Sequence, residues 1–89
     1  MPINVSSFQR LLLPKLTEKY KDKVGEAKIE QMIKGDVTQE LTILQANGSI
    51  NAFDNVCVLK RPQNKFKIIA RIYSNPPGSI IKIGFELCL

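Results

Sequence analysis

Period-two alternation dominates the last third of the chain. From Lys65 to Ser74, Phe66, Ile68, Ala70 and Ile72 fall on one side of an extended backbone, and Lys65, Lys67, Ile69, Arg71 and Tyr73 fall on the other. Asn75-Pro76-Pro77-Gly78 then predicts a chain reversal. After it, Ile81, Ile83, Phe85, Leu87 and Leu89 make a second apolar row, backed by Ile80, Lys82, Gly84, Glu86 and Cys88. Two alternating runs joined by a Pro-Gly turn predict a β-hairpin. A one-residue slip in its pairing would move a whole apolar row into water, so the register is expected to be well fixed. Upstream, Val56-Cys57-Val58-Leu59 reads as a short strand, with the β reading starting at Asn55, and Arg61-Pro62-Gln63-Asn64 reads as the turn that follows it.

The first half follows helical spacing instead. Ser6 and Gln9 have the spacing of a capping box, and Phe8, Leu11, Leu12, Leu16 and Tyr20 recur on one helical face. Pro14 removes a backbone donor and disfavours helical geometry at Leu13, which predicts a kink or break there. A second helix is expected over Val24, Ala27 or Lys28, Ile29, Met32 and Ile33, closed by Gly35 in left-handed geometry. Residues 36–48 admit two readings. Asp36-Val37-Thr38 can cap a short third helix ended by Asn47-Gly48, with Val37, Leu41 and Leu44 on one face. Alternatively, Leu41-Thr42-Ile43-Leu44 is a strand leading into an Asn-Gly hairpin turn. Helix propensity favours the former. The apolar face of the sheet needs a cover, and the amphipathic N-terminal segments are the candidates. The expected fold is therefore α+β in one domain spanning residues 1–89: two or three N-terminal helices packed on one face of a C-terminal antiparallel meander of three to four strands.

Charge changes this picture, because it is lodged in one place. Residues 1–55 hold seven basic and seven acidic residues. Residues 56–89 hold Lys60, Arg61, Lys65, Lys67, Arg71 and Lys82 against Glu86 alone, which accounts for the whole net charge of +5. Held on a sheet, these cations form a rigid positive surface and predict an anionic partner. The candidate nucleic-acid-binding residues are Lys60, Arg61, Lys65, Lys67, Arg71 and Lys82, with Tyr73 as a stacking surface beside Arg71 and Lys67. Nucleic acid, RNA first, is the expected partner, and an acidic protein is the other. Ile69 and Ile80 on the same face suggest partial cover by the third segment or by another subunit. The apolar run Phe85 to Leu89 suggests a homodimer through the C-terminal strand. An assembly or inhibitor protein is the corresponding functional alternative.

The chain has 89 residues, enough for one modest core. It has no histidine, which removes His-based acid–base catalysis, His-containing triads and His-ligated zinc. Two cysteines, Cys57 and Cys88, are expected to be reduced and partly buried, a bridge between neighbouring strands being the alternative. No phosphate-binding glycine loop is present, and no cofactor or metal is expected. No apolar run nears the ~20 residues of a membrane span. Met1-Pro2-Ile3-Asn4-Val5 lacks the charged and apolar regions of a secretory signal, so a cytoplasmic location is expected.

The order helix, helix, short strand, basic turn, long strand, tight turn, long apolar strand resembles the RelE-like toxins of bacterial toxin–antitoxin pairs. The likeness is carried by Asn55–Leu87, above all Val56-Cys57-Val58-Leu59-Lys60-Arg61 and Lys65-Phe66-Lys67-Ile68-Ile69-Ala70-Arg71-Ile72. Members of that family are small basic proteins that cleave mRNA. The resemblance implies a metal-independent ribonuclease in which Arg71, Lys67 or Arg61 stabilises the phosphorane and Tyr73 or Glu86 handles a proton. The chain departs from the family plan at both ends: an N-terminal strand is at most Ile3-Asn4-Val5, and no basic extension follows Leu89.

Overall fold

A computed structural model describes residues 5–89, with side chains from residue 8 onward. Two helices, α1 (Val5–Tyr20) and α2 (Ile29–Ala46), precede three strands, β1 (Ile50–Arg61), β2 (Lys65–Ser74) and β3 (Ile80–Cys88). The strands form an antiparallel meander in the order β1-β2-β3. Both helices lie on one side, α1 chiefly against β3 and α2 against β1. The α+β arrangement is as expected, with two helices and three strands among the described residues.

The central strand organises the core. Phe66, Ile68, Ala70 and Ile72 of β2 are wholly buried, flanked by Ile83, Phe85 and Leu87 of β3 and by Ile50 and Val56 of β1. The helices close this layer with Phe8, Leu12, Leu16 and Tyr20 from α1 and Ile29, Ile33, Val37 and Leu41 from α2. Phe8 meets Phe85 edge to face, with ring centroids 6.3 Å apart. No buried side-chain polar atom lacks a partner among the described residues. Tyr20 shows how this is achieved: its ring is buried and its hydroxyl donates to Asp36 of α2. Burial, and then that hydrogen bond, raise the phenol's pKa well above its ordinary value.

Several elements differ from the sequence expectation. Helix α1 runs through Pro14. The proline is on the exposed side, where water can satisfy the Arg10 carbonyl that it leaves without a donor. Ser6 is helical in backbone, the expected cap through its side chain lies outside the described residues, and Val5 is helical rather than extended. The second helix starts at Ile29, after turns over 21–28. Gly35 does not end it. The buried residues Ile29, Ile33, Val37 and Leu41 recur every four positions across Gly35, and burying that stripe outweighs one glycine's propensity cost. The expected third helix is therefore the second half of α2. Asn47-Gly48 does terminate it: Gly48 has φ +83°, and the Ser49 amide donates back to the Leu44 carbonyl.

Strand β1 begins at Ile50 rather than Asn55, because two bulges hide its alternation. Extra residues enter between Ile50 and Ala52 and between Asp54 and Cys57, with Asn55 at φ +53°. The second bulge switches parity: Asp54 and Cys57 both stand on the open face, while Val56 turns into the core. Cys57 and Cys88 are consequently free and exposed, not partly buried. They occupy strands separated by β2, which places them beyond the reach of a bridge.

Two substitutions test this packing. Gly35→Ala adds a methyl group where nothing lies within 4 Å, inside a helix rather than at its end. It is expected to stabilise the fold by about 0.5–1 kcal/mol in urea unfolding. Phe66→Ala, at the centre of the core, is expected to cost about 3–5 kcal/mol in the same measurement.

Candidate nucleic-acid interface

The face of the sheet opposite the helices is built in rows, three side chains to a row, because paired residues of adjacent strands point the same way. The register sets them as Ala52, Tyr73 and Ile80; Asp54, Arg71 and Lys82; Cys57, Ile69 and Gly84; Leu59, Lys67 and Glu86; and Arg61, Lys65 and Cys88. Five of the six cationic candidates and Tyr73 thus share one surface. Lys60 does not join them. It is in register with Phe66, on the side that carries the helices, as the parity switch in β1 dictates.

The rows are electrostatically unlike. Arg71 grips Asp54 with two parallel bonds, Nε to Oδ1 at 2.8 Å and Nη2 to Oδ2 at 2.9 Å. Tyr73 donates its hydroxyl to the same carboxylate at 2.8 Å. The hydrogen bonds from Arg71, and then from Tyr73, hold the Asp54 pKa below the usual carboxylate range. The bond to Asp54 raises Arg71 and, with partial burial, raises Tyr73. Arg71 and Tyr73 are therefore both hydrogen-bonded to a neighbouring strand. Asp54 was not a sequence candidate, because the bulge beside it disguises which way it points.

At the other end of the face the last row holds cations and no acid, and the row before it sets Lys67 opposite Glu86. Arg61 and Lys65 are directly opposite each other, and Cys88 is the third member of their row. Lys67 follows on the same strand; its chain lies over Gly84, with Cε 3.5 Å from where a β-carbon would stand. None of Arg61, Lys65, Lys67 and Lys82 makes an ion pair among the described residues. On the helix side, by contrast, Lys15 pairs with Glu40 at 2.8 Å and Lys19 with Asp36 at 2.9 Å. Like charges opposite one another destabilise a strand pair, and among the described residues no ion pair relieves Arg61 or Lys65. Tyr73 is eight residues from Lys65 along β2, about 26 Å, so no aromatic ring interleaves with this cluster.

The third segment, folded into α2, does not cover the open face. Ile69 is half-buried by its neighbours, and Ile80 remains 58% exposed. For the ribonuclease chemistry implied by the RelE-like resemblance, Tyr73 is held protonated and hydrogen-bonded to Asp54. Glu86 is in register with Lys67. Among the described residues no cluster of three metal-ligating side chains forms, and no helix is long and apolar enough to cross a membrane.

The Asp54 pKa shift fixes a direction with pH. A carboxyl group with a depressed folded pKa stabilises above its unfolded value, and that contribution fades as pH falls through the folded one. In thermal melts from neutral pH down through about 4 and below, Asp54→Asn is expected to lose less stability than wild type over the acidic part of the range. Parallel curves would show that this carboxylate is not coupled to folding.

No protein-family model, curated protein or solved structure matches this chain.

Proposed function

We propose that this protein binds single-stranded nucleic acid, RNA foremost, on the open sheet face, with the phosphate backbone held at the β1–β2 end by Arg61, Lys65 and Lys67. The observation that carries this reading is the row in which Arg61 faces Lys65, which holds no acid and makes no ion pair among the described residues, with Lys67, opposite Glu86, next along the strand. An anion from outside the chain relieves that repulsion, and a phosphodiester backbone supplies anions in series. The form of the surface favours single strands. Cations on the helices interleave with acids and are partly ion-paired, so neither helix offers a basic ridge for a duplex groove. The sheet offers a basic surface alongside the apolar patch of Leu59, Cys57 and Ile69, on which unpaired bases can lie. Arg71 belongs to the scaffold in this reading, and Lys82 lies apart from the cluster.

Retention on a mixed-sequence RNA oligonucleotide across a salt series tests it. Three phosphate contacts predict a log–log slope of about 2, and Lys65→Glu with Lys67→Glu is expected to lower it by about 1.4. Arg71→Ala is expected to leave the slope unchanged while lowering the unfolding midpoint, because its partner is Asp54. A wild-type slope near zero, or one indifferent to the double substitution, overturns the reading.

A further inference from the structure

The two edges of the sheet are guarded differently. β1 carries two bulges, with Asn55 in left-handed geometry, and these spoil its outer edge as a template for another strand. β3 has neither a bulge nor a proline across its nine residues, and nothing pairs with its outer side among the described residues.

The backbone of β3 determines what could pair there. The Ser74 amide donates to the Ser79 carbonyl, and the Leu89 amide donates to the Asn64 carbonyl, both at 3.0 Å. Hydrogen-bonding direction alternates along an antiparallel strand, so residues 81, 83, 85 and 87 also bond inward to β2. Ile80, Lys82, Gly84, Glu86 and Cys88 then direct their N–H and C=O groups outward, and all five are solvent-exposed.

We infer that β3 pairs with the β3 of a second copy of this chain, antiparallel and about a two-fold axis at Gly84, forming a continuous six-stranded sheet. Three features select this register. Gly84 is the midpoint of Ile80–Cys88, so the whole strand overlaps its mate. All the outward groups become narrow hydrogen-bonded pairs: Ile80 with Cys88 of the other copy, Lys82 with Glu86, and Gly84 with Gly84. Charge complementarity then separates this register from its neighbours. Lys82 faces Glu86 twice, once on each side of the axis. Moving the axis one residue either way leaves both charges opposite uncharged residues, and moving it two sets Lys82 against Lys82 or Glu86 against Glu86. On the covered face the same register sets Ile81 beside Leu87 and Ile83 beside Phe85, which joins the two cores. Isologous closure limits the contact to two chains on this edge.

Sedimentation equilibrium from ~1 µM to ~1 mM tests the pairing. Wild type is expected to show a reversible monomer–dimer equilibrium. Lys82→Glu and Glu86→Lys, each setting like charges opposite one another twice, are expected to weaken it about tenfold or more. The double exchange Lys82→Glu with Glu86→Lys restores the wild-type constant. Position is read separately by thiol cross-linking in a Cys57→Ser, Cys88→Ser background. Narrow-paired Cα atoms lie ~5.5 Å apart, within disulfide reach, so Gly84→Cys forms a covalent dimer under a mild thiol oxidant and Lys82→Cys does not. A wild type that stays monomeric throughout, a double exchange that fails to restore association, or cross-linking at 82 rather than 84 overturns the inference.

Discussion

The structure depends on the central strand keeping its two faces apart. Phe66, Ile68, Ala70 and Ile72 of β2 point toward the helices and are wholly buried, while the other side presents Lys65, Lys67, Ile69, Arg71 and Tyr73. Because β2 is hydrogen-bonded on both sides, its register is transmitted to both neighbours, and the rows of the open face follow from it. A slip by one residue would bury lysine beneath α1 and α2, at a desolvation cost no local contact could offset. The charge pattern is in this sense a by-product of core packing: the cations are lined up because the hydrophobic residues between them are.

Within that face, charge is treated in two ways. At the Tyr73 end, Asp54 gathers a guanidinium and a phenol into one hydrogen-bonded network. At the Arg61 end Arg61 and Lys65 face one another across the strand pair, and neither makes an ion pair among the described residues. A surface that pairs its cation with an acid near one end and sets two unpaired cations opposite each other at the other has a polarity along its length.

The hairpin from Lys65 to Leu87 was readable residue by residue, because alternation with one buried face has few alternative solutions. The basic surface was readable for the same reason. What escaped notice came from places where the period shifts. The β1 bulge at Asn55–Val56 changes which parity faces out, so Lys60 lies apart from the other cations, Cys57 is exposed rather than partly buried, and Asp54 comes to face Arg71. The link from Arg71 and Tyr73 to Asp54 is not legible in the alternation, because their partner lies 17 and 19 residues away, across a strand pair whose upstream start the bulges hide. Gly35 and Pro14 were given the weight of their local preferences. In both helices a four-residue apolar spacing continues past them, Leu12 to Leu16 and Ile33 to Val37, and tertiary burial decides.

The meander has a kinetic corollary. Each strand pairs with the one next to it in sequence, through links of three residues after Arg61 and five after Ser74. Closing such short loops sacrifices little chain entropy, so the ladder can zip from either turn before any helix has docked. The greasy side of that ribbon stays open to water until α1 and α2 settle onto it, and this interval exposes the nascent chain to mispairing. Lysines spaced along the opposite side repel other copies of the ribbon during it, so the same cations help the molecule reach its native form without aggregating.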